Sequence, residues 1–214
     1  MVASIPEGKS LRLLDAGCGS GLLLRFLSER IRDGMVYTGV DLLKTGVEQA
    51  LLRSQELGIA NRVSCFKSDL TTPFPTTVEK FDVVVGHFSL YTLASNDKRQ
   101  EALAHLKTVM KTGGVLILAN PSVDYDADAI IDESVRLVRE RYGFLASLIK
   151  QALIYPLTKA IGLRFIQKQL RSREWKAFTR EEFSQEIERT GFVVQHTEEV
   201  YAGSAFLVVA RLTS

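Results

Sequence analysis

The sequence predicts an α/β fold, a doubly wound and mostly parallel sheet with helices on both faces. Through the first half of the chain, apolar strand-like runs alternate with segments of helical periodicity. A glycine-rich turn, Gly17-Cys18-Gly19-Ser20-Gly21, joins the first run to the first helix. Asp15, Asp41 and Asp69 stand at or near the ends of the first three runs. Parallel sheets bind ligands outside the carboxyl ends of their strands, so a site is expected there.

In chain order, Leu11–Ala16 reads as the first strand. Beyond the glycines, Leu22, Leu23, Phe26, Leu27 and Ile31 recur at helical spacing. Val36–Val40 is a second strand ending at Asp41, and a helix over about 45–57 stops at Gly58. Val63–Phe66 is a third strand ending near Asp69. The "TTPFPTT" that follows suits neither a helix nor a central strand. "FDVVVGHF" has the unbroken apolar character of a buried fourth strand. A helix follows over 97–110, and "TGGVLILANP" turns into a fifth strand ending at Pro121. Residues 126–176 are helical by pattern throughout. Thr179 and Glu182 form a capping-box signature for a last helix that stops at Gly191. Val193–Gln195 and Phe206–Ala210 read as two closing strands.

A chain of 214 residues, 46% of them apolar, buries one substantial core, and one domain spanning 1–214 is expected, with a helical insertion over 123–176. The formal net charge of +2 does not by itself point to nucleic acid. Cys18 and Cys65 are too few for a disulfide framework or a zinc site, and no metal is expected. With no signal-like or membrane-length apolar run, a soluble, cytoplasmic protein is expected.

A strand, a glycine turn and a helix N-terminus gather backbone N–H groups at one point, as in nucleotide-binding folds. The spacing here is Gly17-x-Gly19-x-Gly21 with Leu22 next, not the G-x-G-x-x-G of dinucleotide folds. Asp15, two residues before the first glycine, suits a cation better than a pyrophosphate. S-adenosylmethionine, with an ammonium, a sulfonium and no phosphate, is such a ligand. Asp41 can accept the ribose hydroxyls, and Asp69 with Leu70 can meet the adenine. Taken singly, each acid serves equally well as a helix cap or turn former; the combination with the loop favours a site.

"LLDAGCGSG", "YTGVDLL", "FKSDL", "FDVVVGHFSLYTL" and "LKTVMKTGGVLILANP" resemble, in order, the signature motifs of class I S-adenosylmethionine-dependent methyltransferases. The resemblance is strong over about 11–121 and weaker from Trp175 onward. It implies a Rossmann-like seven-stranded sheet of order 3-2-1-4-5-7-6 with the last strand reversed. It also implies methyl transfer, with S-adenosylmethionine converted to S-adenosylhomocysteine. By the same resemblance Gly17, Gly19 and Gly21 line the methionine part and Asp15 serves its ammonium. Asp41 holds the ribose and Asp69, next to Leu70, the adenine; Leu42 is a further cofactor-binding residue, and His87 faces the amino-acid part. The chain departs from the family in its short lead-in to the first strand and its proline-rich link between strands three and four.

Methyl transfer needs an aligned acceptor and, for a hydroxyl, removal of a proton. His87 is the candidate general base, because His105 falls in a helix and His196 in an edge strand. A packing or hydrogen-bonding role for His87 is the alternative. Tyr91, Asn120 and Tyr125 are the candidate substrate-binding residues. The "GHFS" segment lacks the Asn/Asp-Pro-Pro-aromatic motif of enzymes that methylate base amino groups, so nucleic acid is disfavoured as partner and oxygen is the favoured acceptor atom. The rival readings are an NAD(P)-dependent oxidoreductase and a catalytically silent cofactor- or lipid-binding module.

Residues 143–173 carry Lys150, Lys159, Arg164, Lys168, Arg171 and Arg173 and no acidic residue. Phe144, Leu145, Leu148, Ile149, Ala152 and Leu153 make an apolar face that Pro156 interrupts, and Leu157, Ile161 and Phe165 continue it. Three readings are open: a lid over the active site, a peripheral membrane contact serving a small or lipophilic acceptor, and an RNA-facing patch.

Overall fold

Seven strands lie in the order β3-β2-β1-β4-β5-β7-β6 in a computed structural model that describes residues 1–74, 79–153 and 158–213, with side chains described outside 141–161. The strands are β1 (Arg12–Ala16), β2 (Val36–Asp41), β3 (Val63–Lys67), β4 (Phe81–His87), β5 (Met110–Pro121), β6 (Phe192–Val200) and β7 (Ala205–Leu212). The β1–β2, β2–β3, β1–β4 and β4–β5 pairs are parallel, and β7 runs antiparallel to both β5 and β6. Both the order and the reversed last strand match the expectation.

Six α-helices accompany these strands among the described residues: α1 (Leu22–Arg32), α2 (Lys44–Glu56), α3 (Asn96–Thr108), α4 (Ala127–Leu153), α5 (Thr158–Arg171) and α6 (Arg180–Glu188). Alternation along the central strands sorts their side chains into two cores. Leu13, Val83, Val85 and Ile117 face Leu24, Leu27 and Ile31 of α1. Leu14, Val84, Leu116 and Leu118 face α3, α6 and the start of α4. Arg99 of α3 reaches Glu186 of α6 through Nε (2.7 Å) and Nη2 (2.9 Å). Its remaining donor holds the carbonyls of Leu93 and Ala94 at 2.7 and 2.8 Å. Every polar arm of this buried cation is thereby satisfied, as burial of a charge requires.

The Thr179–Glu182 capping box forms as expected. Several boundaries differ. β5 starts at Met110, which pairs with Phe81; Gly113 and Gly114 lie inside the strand, where the register shifts, and α3 ends at Thr108. β6 extends to Val200 rather than Gln195, and β7 to Leu212. A register shift between Val194 and His196 breaks the alternation of β6, and its outer face is polar, so periodicity alone shortens it. The helical stretch of 126–176 is two helices, α4 and α5. Pro75 and Pro156 lie outside the described residues, as do the side chains of the apolar face from Phe144 to Ile161.

Candidate active site

The turn after β1 is braced to the end of β2. The N–H groups of Gly17 and Cys18 both donate to the Val40 carbonyl, at 2.8 and 2.9 Å. Gly17 has φ +97, and a Cβ there would lie 2.5 Å from that of Ser89, so the β4 loop can approach only a glycine. Asp41 fixes the next part of the loop, accepting from Gly19 N–H (2.8 Å) and Leu43 N–H (2.9 Å). Gly21, at φ +72, is the residue before α1; a Cβ there would meet that of Ala50 at 2.9 Å. Gly19 and Gly21 line neither cavity described below, and Gly21 is used for close packing against α2.

Two cavities flank Gly17 at the carboxyl edge of the sheet. The first, about 320 Å³, is walled by Asp15, Leu22, Phe26, His87 and Tyr201. The second, about 330 Å³, is walled by Asp41, Leu42, Asp69, Leu70, Phe88 and Ser89. Each is close to the lower end of the size usual for small-molecule sites, about 300–1,000 Å³. Among the described residues, three carboxylates and no lysine or arginine line the pair.

Asp15 is 4% exposed and accepts a 2.6 Å hydrogen bond from the Tyr37 hydroxyl. Burial pushes its pKa up to about 6 against the opposing pull of that bond, and the Asp41 charge raises it further. Asp69 is held below the ordinary carboxylate range by the N–H and hydroxyl of Thr71, both on Oδ1, at 2.9 and 2.8 Å. Oδ2 takes neither of these bonds.

His87 is the last residue of β4, stacked on Phe88 with ring centroids 4.7 Å apart and planes 4° from parallel. Its Nε2 lies 2.7 Å from the Tyr201 hydroxyl oxygen. Crowding by the cavity wall, aided by the Met1 amino group, lowers its pKa and favours the neutral ring. Neither of the other histidines reaches the cavities: His105 lies in the last turn of α3 against the Leu70 carbonyl, and His196 is on β6 near Glu198.

The three residues expected to touch substrate line neither cavity. Tyr91, Asn120 and Tyr125 are buried together beneath the insertion. Asn120 Oδ1 accepts from Tyr91 N–H at 3.2 Å, and the Tyr91 ring meets Trp175 edge-on at 5.0 Å. Asn120 Nδ2 and the Tyr125 hydroxyl are buried without a hydrogen-bond partner. Tyr91 and Tyr125 belong to the core cluster against which Leu163, Ile166 and Trp175 pack.

Tyr37 and Tyr201 escape the sequence reading. Tyr37 carries a signal, because a tyrosine within a buried strand must find a partner for its hydroxyl. Tyr201 carries only a turn context, "EEVYAGS".

The described part of the insertion uses its apolar side on the core. Leu163, Ile166 and Leu170 pack against the α3–α6 face, and the Lys176 N–H donates to the Tyr91 carbonyl at 2.8 Å. Arg164, Lys168 and Arg171 line an open cleft with Asp126 and Asp128, and Arg164 pairs with Asp128 at 2.9 Å. Phe165 is half-exposed against Trp175. No helix among the described residues is long and apolar enough to cross a membrane. Among those residues no group of three or more His, Cys, Asp or Glu side chains is placed to hold a metal.

A sheet of this order, reversed at its last strand and with a glycine turn after its first, defines the class I S-adenosylmethionine-dependent methyltransferase fold. The chain belongs to the methyltransferase domain family, whose model matches residues 7–182. It is 31% identical over 111 residues to aklanonic acid methyltransferase DauC of Streptomyces sp. (strain C5), covering 51% of this chain and 48% of that protein. It is 27% identical over 85 residues to a tRNA1(Val) (adenine(37)-N6)-methyltransferase of Yersinia enterocolitica, covering 40% of this chain and 34% of that one. The chain thus spans about half or less of the length of these relatives. A SAM-dependent methyltransferase from Aquifex aeolicus shares the fold at TM-score 0.63 and 18% identity, covering 96% of this chain and 85% of the other.

Proposed function

We propose that the protein transfers a methyl group from S-adenosylmethionine to a hydroxyl of a small, largely apolar acceptor. The observation that carries this reading is the lining of the paired cavities: Asp15, Asp41 and Asp69, with no lysine or arginine among the described lining residues and the Met1 amino group as the positive charge near the first. A pyrophosphate would meet three negative charges there, whereas an ammonium and sulfonium with a sugar and a base would not. When bound, S-adenosylmethionine supplies the methyl group on a sulfonium, an excellent leaving group. Asp15, buried and carrying a raised pKa, is ready to ionise beside an ammonium. Asp41 accepts the ribose hydroxyls while bracing Gly19, and the second oxygen of Asp69 is available to the adenine amino group between Leu42 and Leu70. His87, neutral and at the mouth of the first cavity, takes up the acceptor's proton.

The apolar wall of the first cavity, with Leu22 and Phe26, supports a small or lipophilic acceptor over a nucleic-acid base. The packing of the described part of α5 on the core supports a structural cover for that core rather than a membrane anchor. Ligand binding to the native state raises its apparent stability, so S-adenosylhomocysteine and NADH compared by thermal shift test the proposal. Stabilisation by S-adenosylhomocysteine alone is expected; stabilisation by NADH alone would overturn it.

A further inference from the structure

The β6–β7 turn breaks a local rule. Tyr201 and Ala202 both adopt left-handed backbone, at φ 55 and 54, ahead of Gly203 at φ 79. Non-glycine residues in that region cost about 1–2 kcal/mol each, and hairpins with consecutive positive φ ordinarily use Asn-Gly. The surrounding structure holds the turn in place. Ser122 donates its N–H to the Ser204 carbonyl (2.9 Å) and its hydroxyl to the Gly203 carbonyl (2.8 Å). Asp126 N–H donates to the Ser204 hydroxyl at 3.1 Å, and Ser204 N–H closes the turn on the Tyr201 carbonyl at 3.0 Å. Ser122 and Ser204 are fully buried, so the clamp is shielded from water.

What the clamp presents is the Tyr201 side chain. Its hydroxyl lies 2.7 Å from His87 Nε2, and its ring packs on both His87 and Phe88, with centroids 5.7 and 5.6 Å away. Phe88 is itself left-handed, at φ 52, with its N–H held by the Ala119 carbonyl. Two non-glycine residues in an unfavourable backbone region, Phe88 and Tyr201, therefore meet at one hydrogen bond, with Ala202 next in the turn, beside a cavity lined by Leu22, Leu23 and Phe26. Strain maintained at such cost marks a functional contact more than a packing accident.

We propose that Tyr201 is a further catalytic residue, which meets the acceptor's hydroxyl and passes its proton to His87. The inference rests on the methyltransferase reading and assigns the acceptor class: an apolar body carrying a hydroxyl. The acceptor O–H donates to the Tyr201 oxygen, while the Tyr201 O–H donates to Nε2 of neutral His87. As the acceptor oxygen bonds to the methyl carbon, the carbon–sulfur bond breaks and its electron pair stays on sulfur. The acceptor proton moves to the Tyr201 oxygen and the Tyr201 proton to Nε2. The positive charge that leaves the sulfonium thus ends on the imidazolium, and His87, crowded on its cavity side but open to solvent on the other, gives the proton away. The other groups facing His87 are Asp15 and Cys18 across the cavity and the Met1 amino group.

The test reads the His87 ring nitrogens by NMR in protein saturated with S-adenosylhomocysteine, with His87→Gln to assign the signals. Near neutral pH, Nδ1 should carry the proton and Nε2 should behave as a hydrogen-bond acceptor. Tyr201→Phe should shift the Nε2 resonance and raise the His87 pKa, because a donor to the neutral ring is lost. A protonated Nε2 in the wild type, or a Tyr201→Phe spectrum unchanged at His87, would overturn the proposal. The hydroxyl-bearing apolar probe is 1-naphthol. It should perturb the His87 signals of the wild type and bind about tenfold more weakly to Tyr201→Phe, the worth of one hydrogen bond. No response to 1-naphthol, or equal binding to both proteins, would overturn the assigned acceptor class. Ala202→Gly relieves strain while keeping the hydroxyl, and it should retain the wild-type His87 signature if the contact, and not the fold, sets it. Calorimetry with S-adenosylhomocysteine separates the two levels: no binding by the wild type defeats the methyltransferase reading, whereas normal binding without the His87 signature defeats only this inference.

Discussion

The two cavities beside Gly17 are nearly equal in size, and their polar side chains are fixed differently. In the second, Asp41 ends β2 and Asp69 lies two residues beyond β3, and each is held by a partner two residues further on, Leu43 and Thr71, while Phe88 and Ser89 close the wall from the β4 loop. The first is built from afar, with His87 and Tyr201 separated by 114 positions and Asp15 and Tyr37 by 22. Recognition of a shared donor can be carried by short motifs. Handling of a particular acceptor requires side chains brought together by the whole sheet.

The largest expected effect falls on the second of these tasks. His87→Ala should lower turnover of a hydroxyl acceptor by about 10²–10⁴, the usual worth of a positioned base, while S-adenosylhomocysteine affinity changes little. Unchanged turnover would remove His87 from the chemistry and erase the contrast between the cavities. Gly17→Ala strikes both cavities at once. The added Cβ meets Ser89 in a backbone region that costs about 1–3 kcal/mol, with a similar amount for overpacking. Calorimetry should find S-adenosylhomocysteine binding largely lost; wild-type affinity would mean that the two loops do not have to touch. Asp41→Ala should weaken that ligand about 100-fold, by removing a charged acceptor and releasing Gly19 N–H. A change below threefold would show that the second cavity does not hold the ribose.

The last effect concerns Asp15 and pH. Its folded pKa, about 6, lies above the ordinary aspartate value of about 3.9, so the folded state binds more protons across that interval. The stability this group contributes is therefore fully present below about pH 4 and is lost as pH rises through about 6, by on the order of 3 kcal/mol. Asp15→Asn should flatten this part of the denaturation profile in ligand-free protein and weaken S-adenosylhomocysteine. An unaltered profile would show that Asp15 is not buried as described.

The parallel sheet was legible because its strands are buried on both faces and read as unbroken apolar runs, as in Val83–Val85. β6 was truncated because an edge strand with Gln195, Glu198 and Glu199 turned outward has neither an apolar run nor, across its register shift, a regular alternation. The glycines were legible as a group, but their separate tasks were not. Gly17 admits Ser89 and Gly21 admits Ala50, and both neighbours come from other elements. Tyr91, Asn120 and Tyr125 stand near the strand ends, but nearness along the chain does not say which side chains open onto a cavity and which are buried.

By itself the sequence determined the layer architecture and the carboxylate-bearing edge, because strand, turn and helix signals act over a few residues and the strand ends of a parallel sheet fall on one edge. Only the tertiary structure decided that Tyr201 stands on His87, that Tyr37 holds Asp15 and that the apolar side of α5 is spent on the core. Periodicity specifies which face of an element is buried. It does not specify what lies opposite, which depends on strand order and on turns such as 201–204 being clamped in place by distant serines.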